Sequence, residues 1–283
     1  MVATVPLRWF PRPASGAPVK MKVGDPRLRL TDEQQMHRAV MADEGLATPT
    51  ILGCKGISLV HLCLLYASYN DFYTVSVAHA LLYGVGRGLV AHMFRPMKKP
   101  ADGDYPPDII PHAARNLIKE RAKDIRLPTE YGRKYKCVEH YEASFRMEDW
   151  LHFTCDLSEY IFLPGTLPPL LQRLWNLFVT AVEHYCRAGF TDAASQKAAD
   201  SLFEFARLMQ EYGFPSKMFT YNLHICVCRL RQQELARGAV SASMEFVVER
   251  VMQVFKTGMG RRVCQDPEKP FTNNFLLAQS LAR

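Results

Sequence analysis

The stretch PPLLQRLWNLFVTAVEHYCRA, residues 168–188, decides the fold class of this 283-residue chain. Its large apolar residues recur at steps of three and four, which is the period of one helix face. They are Leu171, Leu174, Trp175, Phe178, Val182 and Tyr185. Thr166 can cap the start of the segment and Gly189 follows its end. The pattern therefore predicts a long helix with one face in a core.

The same period recurs along most of the chain on both sides of this helix. Thr31 and Gln34 have the spacing of a capping box, and Gly45 supplies a left-handed helix stop. Good strand candidates are confined to Thr48–Lys55 and Phe72–Val77. The predicted fold class is therefore mainly α. The helices are expected at residues 31–45, 79–94, 112–126, 141–161, 168–188, 191–212, 217–237 and 242–257.

Composition divides the chain into five segments. Residues 1–30 are predicted to be a disordered basic leader, because repeated prolines break any amphipathic helix there and also argue against an organelle-targeting signal. Prolines likewise make residues 96–111 a linker on the surface. The remaining segments are 31–95, 112–240 and 241–283.

Composition also excludes several classes of protein. Hydrophobic residues make up 48% of the chain and charged residues 22%, which excludes a disordered protein. Eight cysteines are too few for a disulfide scaffold. The longest apolar stretch, residues 57–67, is too short to span a membrane. A net charge of +7 favours a polyanionic partner such as nucleic acid, although a solvated basic face gives the same charge.

Two short motifs imitate ligand sites. Residues 84–88 read Gly-Val-Gly-Arg-Gly, but Leu89 follows, so the dinucleotide fingerprint fails and we interpret the glycines as packing positions. Cys226 and Cys228 point about 200° apart on a helix and lack a second ligand pair. We interpret them as buried helix cysteines, and His79 as a core histidine.

Three regions of the chain carry blocks with a family resemblance. The blocks read KGIS (55–58), VSVAHALLYGV (75–85), EAS (142–144) with WL (150–151), FTYNLH (219–224) and FVVERVMQVFK (246–256). In this order and spacing they resemble the CACTA-type (En/Spm-like) transposases. The resemblance covers roughly residues 30–257.

The resemblance implies the remnant of a ribonuclease-H-like α/β core with a large all-helical insertion. It assigns residues 31–95 to the partial core, residues 112–240 to the insertion, and residues 241–283 to the C-terminal helix of the core and a tail. It also implies DNA transposition chemistry, in which three carboxylates hold two Mg²⁺ ions. Glu249 falls on the last catalytic and metal-binding carboxylate of the family, whereas Ser76 falls on its central Asp. We expect the strand that carries the first Asp of the family to be missing from this chain. Because a hydroxyl is a poor ligand for hard divalent cations, we expect a truncated, degenerate derivative that needs Mg²⁺ only if catalysis is retained.

We therefore expect a catalytically inactive, transposase-derived protein that retains DNA binding, with a nuclear location implied by the resemblance. A helical protein-interaction scaffold without nucleic-acid function is the alternative. A third hypothesis is a live nuclease that uses Glu249 with Asp71 or another carboxylate. Taken by itself, Glu249 is also consistent with a solvated surface residue. The candidate DNA-binding residues are Arg95, Lys98, Lys99, Arg115, Lys119, Arg121, Lys123, Arg261 and Arg262.

Overall fold

A computed structural model describes residues 4–6, 20–22, 31–46, 74–96, 105–128, 134–187 and 189–244. This part of the chain is mainly helical, as the sequence predicts. The helices are α1 (Asp32–Asp43), α2 (Ala78–Gly86), α3 (Arg87–Met93), α4 (His112–Asp124), α5 (Val138–Tyr141), α6 (Met147–His152), α7 (Phe153–Leu157), α8 (Ser158–Ile161), α9 (Pro169–Cys186), α10 (Asp192–Glu211) and α11 (Tyr221–Arg237). Helices α2 and α7 are π-helical. Short 3₁₀ turns lie at Glu142–Ser144, Ser216–Met218 and Val240–Ser243.

Two short strands complete the described elements, and both lie within residues 1–30, where the sequence pattern predicts no strand. Strand β1 (Thr4–Pro6) pairs antiparallel with β2 (Lys20–Lys22). By its contacts the chain divides into a unit of residues 1–243 and a unit of residues 244–283. None of the helices described above is both long enough and apolar enough to cross a membrane.

Helix α9 is the centre of the core, as its apolar stripe predicts. Trp175 and Phe178 are buried along this stripe, and α9 packs along the length of α10. The prediction that Thr166 caps the helix is wrong. Pro169 occupies the first turn, and the Thr166 hydroxyl instead accepts a hydrogen bond of 2.6 Å from the guanidinium of Arg121. Proline suits this position because its missing N–H has no intrahelical partner there.

Helix α1 forms as its local sequence predicts. Thr31 Oγ1 accepts a hydrogen bond from the backbone N–H of Gln34, and the Gln34 side chain accepts one from the N–H of Thr31. Gly45 follows the helix with φ of +68°, the left-handed conformation that favours glycine. Both ends are therefore set by local chemistry.

The prediction of one helix at residues 141–161 is wrong. The chain there forms the end of α5, a 3₁₀ turn, and then α6, α7 and α8. The break lies at Phe145, which is extended and buries its ring 5.3 Å from that of Trp150. Helix α6 then starts anew, because the N–H of Arg146 donates to the Asp149 carboxylate at 2.8 Å. Burial of an aromatic ring thus overrides the local helical period.

The predicted strand at 72–77 is also wrong in its described part, while Thr48–Lys55 lies outside the described residues. Residues 74–76 are irregular and Val77 is helical. The N–H of Val75 donates to the Gln233 side chain at 2.6 Å, and Ser76 O accepts from the N–H of Ala80. The β-branched run therefore leads directly into the predicted helix at 79–94, which is confirmed as α2 and α3.

Two further boundaries differ from the sequence prediction. The linker at 96–111 is irregular where described, but Ile109 and Ile110 are fully buried, so its placement on the surface is wrong at these positions. The helix predicted from 217 begins at Tyr221, because Thr220 Oγ1 accepts from the N–H of Leu223 and caps it. Most of the helix predicted at 242–257 lies outside the described residues.

Candidate functional site

Helix α2 packs against described parts of two other blocks of family resemblance, while the KGIS and FVVERVMQVFK blocks lie outside the described residues. It packs against both α6 and α11. The hydroxyl of Tyr83 donates to the backbone oxygen of Phe145 at 3.0 Å, beside the EAS block. Gly84 lies against Asn222 of the FTYNLH block. Helix α2 is thus in contact with the helix that carries the WL block and with the FTYNLH block, which lie far apart in the sequence.

Two of the three glycines at residues 84–88, Gly84 and Gly86 of α2, are packing positions, as predicted. A Cβ on Gly84 would overlap the side chain of Asn222, and one on Gly86 would lie 2.7 Å from the ring of Phe178. Gly88 differs, because no atom lies within 4 Å of the position of its Cβ. Gly88 and Gly84 border a cavity of about 40 Å³ beside Thr220. That volume is far too small for a nucleotide or coenzyme.

Ser76, which lies just before α2, and His79, which lies in the first turn of α2, form a hydrogen-bonded pair. Ser76 Oγ lies 2.8 Å from His79 Nδ1, and the direction of the bond depends on the imidazole tautomer. The interpretation of His79 as a core histidine is wrong, since its side chain is exposed. The pair stands where the resembling family has an Asp and a His. It offers a hydroxyl and an imidazole in place of the anionic oxygen that a hard cation prefers.

The described residues give no sign of a metal centre. Among them, no group of three or more His, Cys, Asp or Glu side chains is arranged to hold a metal ion. Glu249 and Asp71 lie outside the described residues. Cys226 is buried in α11, as predicted, and Cys228 is half-buried. Desolvation raises the pKa of both thiols, that of Cys228 to about 11, so neither is a ready thiolate ligand.

Two of the candidate DNA-binding arginines bind the protein's own backbone. Arg115 is 5% exposed, and its guanidinium donates to the backbone oxygens of Ile110 and Arg95, each at 2.9 Å. Arg121 donates to the backbone oxygen of Ile161 at 2.9 Å, as well as to Thr166. These side chains hold α4 in place, and their donors point inward rather than toward a phosphate backbone.

Three further candidates form ion pairs within the chain. Arg95 lies 3.2 Å from Asp108, Lys119 lies 3.4 Å from Glu139, and Lys123 lies 2.8 Å from Glu120. The positions of the other four candidates, Lys98, Lys99, Arg261 and Arg262, lie outside the described residues. Their role in DNA binding stays a prediction.

The basic charge is concentrated toward the ends of the chain. Residues 1–30 hold six Lys and Arg but one acidic residue, and residues 244–283 hold six basic against four acidic residues. Between them, residues 31–243 hold 23 basic and 23 acidic residues, so this long central part has no net charge. The whole formal charge of +7 therefore comes from the two terminal segments.

Sequence reasoning missed a buried charged network around His92. His92 Nε2 lies 2.8 Å from Asp108 Oδ2, which also accepts from Arg95. Its signal in the sequence was the pair Ile109 and Ile110, two large apolar residues in a linker that is otherwise polar and rich in proline. An apolar pair of this kind predicts that part of the linker packs on the core.

No protein-family model, no curated protein and no solved structure matches this chain.

Proposed function

We propose that this chain is a transposase-derived protein without catalytic activity that binds DNA through its basic terminal segments, residues 1–30 and 244–283. The observation that supports the proposal is the packing of α2 against the helix of the WL block and against the FTYNLH block. A family core needs contacts of this kind between blocks that are far apart in sequence. On this proposal α1 to α3 belong to the remnant of the ribonuclease-H-like core, and the later helices belong to its insertion.

The absence of catalysis follows from the chemistry at Ser76. Two-metal phosphoryl transfer needs carboxylates that neutralise two hard cations. At the central position this chain has a hydroxyl that is hydrogen-bonded to His79. On this proposal Glu249 is a single carboxylate that remains of the catalytic and metal-binding set of the family, and it no longer performs either role. Only an active form would require Mg²⁺.

The DNA-binding part of the proposal rests on where the charge lies. Affinity for DNA comes mainly from neutralised phosphates, and it falls as salt rises. Residues 31–243 are electrically neutral, and the described cations of α4 bind within the protein. The terminal segments carry the excess of positive charge. A nuclear location belongs to the same proposal.

The proposal is tested with the purified full chain and a fluorescent duplex. We expect anisotropy to report binding whose log K falls linearly with log salt, by about 0.9 per phosphate neutralised. We also expect no nicking of supercoiled DNA with Mg²⁺ or Mn²⁺. Absence of binding at low salt would refute the DNA-binding part. Metal-dependent nicking that Glu249→Gln abolishes would refute the inactive site.

A protein-interaction scaffold is the second candidate function. The neutral charge of residues 31–243 favours it, as do large apolar side chains that reach the surface of the described helices. Tyr221 is 64% exposed and Leu117 is 52% exposed. This candidate predicts no duplex binding at any salt concentration and a chain that self-associates or binds a hydrophobic dye.

A further inference from the structure

His92 lies in a contact that joins the end of α3 to the segment 105–110. The ring is buried, and Nε2 is 2.8 Å from Asp108 Oδ2. Since a carboxylate accepts, Nε2 carries the proton and donates. Arg95 Nη1 lies 3.4 Å from Nδ1, so Nδ1 faces a donor and acts as the acceptor. Both contacts are satisfied together only by the neutral ring protonated on Nε2.

The same contact fixes the backbone of the segment. The N–H of Ile110 donates to Met93 O at 3.0 Å, and Arg115 binds the backbone oxygens of both Ile110 and Arg95. Asp108 is the carboxylate that both His92 and Arg95 share. The segment is therefore attached to α3 by one backbone bond, one buried arginine and one shared carboxylate.

A proton on Nδ1 would change the balance of charge in this contact. It would turn the acceptor facing Arg95 into a second donor with a positive charge. The described groups that face His92 are Arg95 just after the end of α3, Asp108 on the segment, Phe214 with its ring 5.0 Å away, and Lys217 in the 3₁₀ turn Ser216–Met218. Arg115 approaches from α4 through the Arg95 carbonyl. Asp108 would then face the added positive charge of the buried ring as well as that of Arg95.

We propose that His92 is a pH-sensitive latch, which holds the segment 105–110 on α3 while its ring is neutral and releases the segment when the ring is protonated. Burial lowers the pKa of His92 below its ordinary value, and the hydrogen bond to Asp108 opposes this only in part. In the released segment the ring is exposed and its pKa returns to about 6.5. The latch is therefore fully closed above about pH 6.5 and weakens as the pH falls toward the lowered value.

The test is amide hydrogen exchange of the full chain between pH 7.5 and 5, corrected for the intrinsic exchange rate. We expect the opening equilibrium of peptides that cover residues 105–111 to rise by up to about tenfold per pH unit below about 6.5. Peptides from α9 should not show this rise. His92→Gln keeps a donor toward Asp108 but cannot titrate, so it should remove the pH dependence.

The matched control is His112→Gln, which changes an exposed histidine close to the same segment. It should leave the pH dependence intact. A rise that persists in His92→Gln, or a wild-type segment whose opening does not change with pH, would overturn the latch. Nitrogen-15 shifts of His92 in the wild-type chain test it without a variant. A protonated Nδ1 at pH 7.5, or a titration midpoint above 6.5, contradicts the proposal.

Discussion

The contact between Gly84 and Asn222 gives the sharpest test of how the resembling blocks pack. Gly84→Ala adds a Cβ that overlaps the side chain of Asn222. The overlap includes the Cβ of Asn222, whose position does not depend on the rotamer, so a rotamer change of Asn222 cannot remove it. Overpacking of this kind costs about 1–3 kcal/mol. Alanine recovers about 1 kcal/mol of helix propensity. We expect a net loss of up to about 2 kcal/mol in the free energy of unfolding.

Gly88→Ala is the matched control, one helical turn further along. It makes the same chemical change where no atom lies within 4 Å of the new Cβ. There alanine should stabilise the protein by about 0.4–1 kcal/mol, because it restricts the unfolded chain. The two substitutions should therefore shift the urea midpoint in opposite directions.

The assay is urea unfolding followed by the fluorescence of the buried Trp150 and Trp175. A relieving variant, Gly84→Ala with Asn222→Gly, should recover stability relative to the sum of the two single changes. Equal shifts for Gly84→Ala and Gly88→Ala, or a Gly84→Ala variant that is more stable than wild type, would refute the proposed packing of α2 on α11.

Three further predictions follow from buried or paired charges. Arg115→Met should destabilise the fold by about 2–4 kcal/mol in the same urea assay, since it leaves two backbone oxygens without their donor. The control Lys123→Met removes an exposed ion pair and should change the free energy of unfolding by less than about 0.5 kcal/mol. Partial burial opposes ionisation of Asp156, yet hydrogen bonds from His152 and Arg187 hold the pKa of its carboxyl below the ordinary value. Asp156→Asn should therefore lose stability at pH 7, and the difference from wild type should close as the pH falls below about 4, as measured by urea midpoints at both pH values. Burial raises the pKa of Cys226 well above its ordinary value, so a disulfide reagent followed by mass spectrometry should modify it at least about tenfold more slowly than the most exposed thiol; equal rates would contradict its burial.

The features that the sequence predicts well are those with a local cause. The stripe of Trp175 and Phe178 specifies α9 because a helix face depends on spacing alone. The capping box at Thr31 fixes the start of α1 for the same reason, since the bonding groups lie three residues apart. Such signals need no knowledge of the rest of the chain.

Features with a distant cause could not be predicted. The break at Phe145 depends on a pocket formed by Trp150 and its neighbours, and the start of α2 depends on Gln233, which is 158 residues from Val75. Both override a local preference that is real but worth less than the burial or hydrogen bond that replaces it.

The same distinction between local and distant causes applies to the candidate site. The glycines of α2 are recognisable as packing positions because no ligand motif accompanies them. The inward direction of Arg115 and Arg121 could not be seen, since a basic helix face gives the same sequence whether its donors meet phosphates or backbone carbonyls. Net charge therefore describes the binding capacity of a chain only after its internal ion pairs are known.

The measurement that tests the proposed function most directly compares two variants with the same net charge in a DNA-binding titration. One variant replaces the six cations of residues 1–30 by glutamine. The control replaces six exposed cations of the described helices and loops, Arg87, Lys123, Lys134, Lys197, Lys217 and Arg237. The proposal predicts that the terminal variant loses most of its affinity and of its salt dependence, while the control binds like wild type. Equal losses in the two variants, or a loss confined to the control, would contradict it.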